Sequence, residues 1–169
     1  MATGWACLFP LLFVVVGAGC SAATIRARVL DAQTREPLAQ AVVLGVWTTV
    51  SGGWLYHHEL VGVRETETDG DGRFELERLP SSGLKDEGDG QAITVYKAGY
   101  IAWSNIYLFH PSKLRENQAV PADILLERFP PGASHERHLD FIYSATGGRD
   151  NPDTTPKFWK ALHPEPSKP

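Results

Sequence analysis

Thr68-Asp69-Gly70-Asp71-Gly72-Arg73-Phe74 decides the fold of this chain. Two Asp and two Gly in alternation supply the residues that tolerate the positive φ of a tight reversal. Upstream, Leu60 to Thr68 reads as extended; downstream, Phe74, Leu76 and Leu79 return apolar side chains to a core. An extended run, a turn and a second extended run predict a hairpin within a β domain.

The flanks carry the same signature. Thr24 to Leu30 alternates, with Ile25, Ala27 and Val29 on one face and Arg26 and Arg28 on the other. That period of two marks a half-buried strand. Asp31 to Pro37 is polar and ends in proline, as a turn does. Ala41 to Val50, rich in Val, Trp and Thr, suits a buried strand that Gly52-Gly53 breaks. Ser81 to Gln91 reads as a polar loop, and Ile93 and Val95 begin the next strand. Gly99-Tyr100 marks a turn or bulge, and the aromatic stretch Ala102 to Phe109 reads as extended. Pro111 to Pro121 is a long connection before a last strand in Ala122 to Glu127. Short strands separated by turn signals predict a mostly β fold, a β-sandwich. Beyond it, Ser134 to Ser144 predicts a short helix capped by Ser134, with Leu139, Ile142 and Tyr143 on one face, stopped by Gly147-Gly148. Asn151 to Pro169 is a Pro-rich tail whose Phe158, Trp159 and Leu162 either dock on the sandwich or leave it mobile.

At 169 residues the chain has room for one domain with a real core. A hydrophobic fraction of 43% fits that core and excludes wholesale disorder. The net charge of −4 provides no basic field for nucleic acid, which is not expected as a partner. Both cysteines, Cys7 and Cys20, fall in the first twenty residues, leaving the body without a disulfide framework. Met1 to Gly19 carries no charged side chain, and Leu8 to Val16 is apolar apart from Pro10. Such a core is shorter than the roughly 20 residues of a membrane span and reads as a signal peptide.

Ala18-Gly19-Cys20 at its end resembles the lipobox of bacterial lipoproteins. That resemblance implies cleavage of residues 1–19, acylation of Cys20 and membrane attachment through that anchor. Gly17 stands where the family usually has a larger apolar residue, and no Lys or Arg precedes the apolar core. The expected location is the cell envelope, bacterial outer membrane or periplasm-facing, to which Ser21 after the cysteine is suited; soluble secretion is the alternative.

Three segments of the mature chain resemble the carboxypeptidase regulatory-like domain. They are Val29-Leu30-Asp31 through Arg35-Glu36-Pro37-Leu38-Ala39-Gln40-Ala41-Val42-Val43, the Thr68–Phe74 run followed by Leu79-Pro80, and Val95-Tyr96-Lys97-Ala98-Gly99-Tyr100. The resemblance covers residues 24–128 and implies an Ig-like or transthyretin-like β-sandwich of about seven strands. Residues 129–169 would then form a C-terminal helix and extended tail. The first strand lacks the family's early glycine, carrying Arg26-Ala27-Arg28 instead. The family points to fold rather than activity, because such modules serve many systems.

The chemistry is sparse. Asp69-Gly70-Asp71-Gly72 resembles the opening of a calcium loop, but the twelfth position is Pro80 where a Glu is required. No nucleophile elbow or phosphate-cradling Gly loop occurs, so neither an enzyme nor a cofactor is expected. Trp54, Tyr56, His57 and His58, in an inserted loop at Ser51 to Glu59, are the candidate ligand- or partner-binding residues. The expected function is a non-catalytic envelope module that binds a protein or ligand or plays a structural role. One alternative is a metal-binding protein or metal-dependent enzyme built on His57 and His58 with His110 or His135. The other is carbohydrate binding by aromatics, with a glycan or envelope protein as partner.

Overall fold

The computed structural model describes residues 23–51, 57–79, 91–109 and 119–163. The alternation in the first strand is realised directly: in β1 (Thr24–Asp31), Ile25, Ala27 and Val29 are buried while Thr24 and Arg26 face solvent. β1 is the middle of a three-stranded sheet, antiparallel to β4 (Arg73–Glu77) and parallel to β7 (Asp123–Leu126). β2 (Val42–Ser51) pairs with β3 (His57–Glu67) and β5 (Gln91–Tyr96), and β6 (Trp103–Ser104) completes a four-stranded antiparallel sheet in the order β3-β2-β5-β6. The fold is mostly β: among the described residues, seven strands in two sheets form a β-sandwich with two short helices.

The inner faces enclose one core, in which Val43, Trp47, Ile93 and Val95 meet Ile25, Val29, Phe74, Leu76 and Ile124. A second core lies on the outer face of the larger sheet. There Val42, Leu44 and Val46 pack against Ile142 of α1 (His135–Thr146) and Phe158 of α2 (Pro156–Leu162). Coverage on both sides explains why β2 is continuously apolar rather than alternating. Gly45 faces the inner core because the Trp47 ring folds over it, where a Cβ would come within 2.5 Å of Cη2.

The Thr68–Phe74 run reverses the chain, but not as the expected hairpin, since β3 and β4 belong to different sheets. Thr68 explains the exchange. Its hydroxyl donates to the Leu38 carbonyl and accepts from Ala41 N–H, and its own N–H donates to the Ala41 carbonyl. This ties the end of β3 to the approach of β2. After the turn, Val29 N–H donates to the Gly72 carbonyl at 2.7 Å, handing the chain to β1. Asp69 Oδ1 closes the turn by accepting from the N–H groups of Asp71 and Arg73. Those bonds are an ordinary Asx-type closure.

Other expectations shift for local reasons. Only Trp103–Ser104 of the Ala102–Phe109 stretch is strand. The Asn105 side chain then takes over the ladder, accepting from Ile93 N–H and donating to the Gln91 carbonyl. The Pro-rich tail contains α2, with Pro156 in its first turn and Phe158 fully buried. On α1 the buried face is His138, Ile142, Ala145 and Thr146, whereas Leu139 and Tyr143 are exposed. The helix is rotated from the expected face because His138, polar by sequence, has a partner inside.

Candidate functional site

The C-terminal helices are fastened to the sandwich by polar groups placed at chosen points. Ser134 caps α1 by accepting from Arg137 N–H, and Gly147, at φ 60°, ends it. The Thr94 hydroxyl, inside the helix–sheet seam, donates to the Ala145 carbonyl at 3.4 Å. α2 lacks a side-chain cap of its own. Glu65 of β3 supplies one, its two carboxylate oxygens accepting from Lys157 and Phe158 N–H at 3.0 Å each. A carboxylate at the positive end of a helix satisfies free donors and favours the helix dipole. Between the helices, the buried Thr155 hydroxyl shares its single proton between the carbonyls of Arg149 and Asn151 and accepts from Asn151 N–H.

His138 is the deepest titratable group of this seam. Its Nε2 accepts from Ala102 N–H at 2.9 Å, which requires the neutral ring. Rings of Tyr96, Phe109, Phe129 and Phe141 surround it, and exposed His135 stacks on Phe129 with centroids 4.4 Å apart. Burial, aided by the His135 charge, pushes His138 from the ordinary 6.5 down to about 4. The neutral ring is common to both states above pH 6.5, so the seam has its full stability there. Between pH 6.5 and 4 only the unfolded chain takes the proton, and stability falls. The shift corresponds to about 3 kcal/mol, which solvent screening beside exposed His135 reduces to about 2. His138→Gln, which retains an acceptor for Ala102 N–H, is expected to flatten the fall in melting temperature across that window. An equally steep fall in the variant would assign the acid sensitivity to other groups.

Asp31 is a second buried polar anchor. Oδ1 accepts from Gln33 and Thr34 N–H, and Oδ2 from the Tyr100 hydroxyl and Arg128 Nε, both at 3.0 Å. Chiefly the Thr34 N–H, with Gln33, Tyr100 and Arg128 adding and burial opposing, lowers its pKa to about 2. Burial raises the Tyr100 phenol, as does the carboxylate it donates to. With both oxygens doubly engaged, this carboxylate is a fastener for three segments.

Two concavities stand out among the described residues. One, on the solvent face of the three-stranded sheet, is flanked by the ion pairs Arg26–Glu75 at 2.8 Å and Arg28–Asp123 at 3.1 Å. The other is a cleft of about 440 Å³ between the outer face of β2 and β5, the segment after β6 and the end of α1. Val46, Ala92, Ile106, Tyr107 and Ala145 give it apolar walls; Arg149 and Gln91 are its open polar groups. Neither makes a side-chain hydrogen bond or ion pair among the described residues. No carboxylate lines the cleft among the described residues.

Of the residues singled out from sequence, those that are described do not line this cleft. His57 and His58 belong to β3, opposite Ser51 and Val50, so their backbone is a strand arm rather than an inserted loop. Cys20, Trp54, Tyr56 and His110 lie outside the described residues. Among the described residues no three His, Cys, Asp or Glu side chains gather as a metal site. Arg149 and Gln91 escaped the sequence reading because only docking of the C-terminal segment brings them together. Asp31 did carry a signal, an Asp followed by a polar turn, which is the pattern of an Asx turn.

No family model matches the chain. No curated protein matches it either. Among solved structures, a streptococcal ancillary pilin is similar at 14% identity with a TM-score of 0.31, across 63% of this chain. The match spans 29% of the pilin chain, a likeness too slight to carry an argument.

Proposed function

We propose that this chain is an exported, non-catalytic binding module of the cell envelope, held at a membrane by acyl chains on Cys20. Its kinship to the carboxypeptidase regulatory-like sandwiches is part of the same proposal. The observation that carries the binding reading is a division among polar groups. Asp31, Thr68, His138 and Thr155 are buried and bound to fixed partners, whereas Arg149 and Gln91 stay open and converge on an apolar-walled cleft. Groups committed to fastening the fold have no capacity left for a ligand. A few open polar groups on apolar walls are the usual composition of a binding site.

The anchor reading is supported by the apolar Leu8–Val16 core running into Ala18-Gly19-Cys20. β1 begins at Thr24, so an acylated Cys20 would hold the sandwich close to the bilayer surface. Expression in a bacterium that processes lipoproteins tests this. Mass spectrometry is expected to find an acylated Cys20 as the first residue. Cys20→Ser is expected to move the protein from the membrane to the soluble fraction with an unchanged melting temperature. An unmodified amino terminus beyond Cys20 would refute the anchor.

A further inference from the structure

The open cleft has a chemical character beyond being a cavity. Val46 rises from β2 and Ala145 from the last turn of α1, both buried, while Ile106 and Tyr107 stand half exposed at its mouth. Tyr107 keeps 47% of its surface accessible, and Ile106 45%. Such apolar area beside a cavity of this size is suited to a small flat ring, which a tyrosine face receives by offset stacking. Arg149 brings a cation that meets no carboxylate among the described lining residues, and Gln91 brings an amide free among the described residues. α1 ends at the same place, and its terminal carbonyls would repel an anion. Two of them are capped from within, Ser144 by Gly147 N–H and Tyr143 by Gly148 N–H. The Arg149 carbonyl is held by buried Thr155, so the guanidinium departs from a fixed backbone position.

We propose that this cleft binds a small arylalkanoate, its ring against Tyr107 and Ile106 and its carboxylate on Arg149 and Gln91. Arginine favours this assignment, since its planar fork matches a carboxylate bidentately. The inference rests on the binding reading above and is independent of the Cys20 anchor. The same geometry makes the cleft a poor host for cations, which would meet Arg149.

Three probes on one phenylpropyl frame separate the contributions: 3-phenylpropionate, its isosteric amide 3-phenylpropionamide, and the cationic 3-phenylpropylamine. They would be titrated into the full chain carrying Cys20→Ser, with amide chemical shifts at Gln91, Ala145 and Arg149 as the readout. Concentrations of about 1–5 mM reach the weakest small-ligand affinities worth assigning to a site. The acid is expected to bind about tenfold or more tighter than the amide, and the amine not at all, as one lost charge-assisted contact implies. Arg149→Gln is expected to bring the acid down to the level of the amide. Its melting temperature should stay unchanged, because the side chain is exposed and the Thr155 contact uses only the backbone. Equal binding of acid and amide would overturn the anion assignment while leaving a binding cleft. Absence of any shift at the cleft with all three probes would overturn the arylalkanoate inference, while the division of polar groups on which the binding reading rests would stand.

Discussion

Gly72→Ala is expected to destabilise the protein by about 3 kcal/mol or more, whereas Gly70→Ala should change stability by less than about 0.5. Gly72 has φ +72°, in the left-handed region that a β-carbon disfavours by roughly 1–2 kcal/mol. A Cβ there would stand 2.5 Å from the Val29 carbonyl oxygen, which is backbone inside β1 and has no rotamer through which to yield. Nor can Gly72 retreat, because its own carbonyl accepts from Val29 N–H. The clash therefore opposes the bond that carries the chain from one sheet to the other. Gly70 lies in the same turn with open space around its Cβ position and an ordinary φ. Alanine there removes only unfolded-state freedom and is mildly stabilising. Urea unfolding followed by fluorescence checks the pair through the shift in midpoint at constant slope. Similar midpoints for the two variants would show that the turn does not hold Gly72 against β1.

That contrast also measures how far sequence reaches. Two Asp and two Gly announce a reversal, and alternating Ile25, Ala27 and Val29 announce a strand with one buried face. Both are local properties, and both are present in the fold. The sheet to which the chain returns is not local. It depends on Thr68 meeting Leu38 and Ala41, some thirty residues earlier, and on Val29 meeting Gly72. The same limit explains the helices. An apolar-face reading of α1 selects Leu139 and Tyr143, because it assigns His138 to water. The histidine goes inside because the Ala102 N–H, at the start of a segment whose strand lasts two residues, needs an acceptor there. Phe158 is an ordinary tail aromatic until Glu65, on a distant strand, caps the helix that carries it inward. The cleft inherits this dependence, since Arg149 and Ala145 reach β2 and β5 only once α1 and α2 have docked.

Asp31→Ala is expected to cost about 3–4 kcal/mol, the second large effect, and to remove a separate step of acid sensitivity. The carboxylate is 1% exposed and binds the turn after β1, the Gly99–Tyr100 segment and Arg128 beyond β7. Alanine leaves two backbone N–H groups and a phenol without their acceptor. Asp31→Asn is gentler at Oδ1, which can still accept from Gln33 and Thr34. Its amide nitrogen, however, turns a donor toward Arg128 Nε, so a loss of about 2 kcal/mol is expected. The pH dependence separates charge from shape. Asp31 titrates at about 2 in the folded protein against an ordinary 3.8, so the unfolded chain binds the proton first as pH falls. The stabilisation is complete above about pH 5 and is lost between there and pH 1. Fully expressed, the shift is worth about 2.5 kcal/mol; Arg128 is 58% exposed, and screening there leaves about 1–2. This window lies below that of His138, so wild type should lose stability in two stages, first through the helix seam and then through the β1 turn. Asp31→Asn should abolish the lower stage and leave the upper one. A single stage common to wild type and both variants, His138→Gln and Asp31→Asn, would mean that neither group governs acid unfolding. A double-mutant cycle with Tyr100→Phe then apportions the lower stage: coupling of at least about 1 kcal/mol is expected, because the phenol and the carboxylate share one buried hydrogen bond.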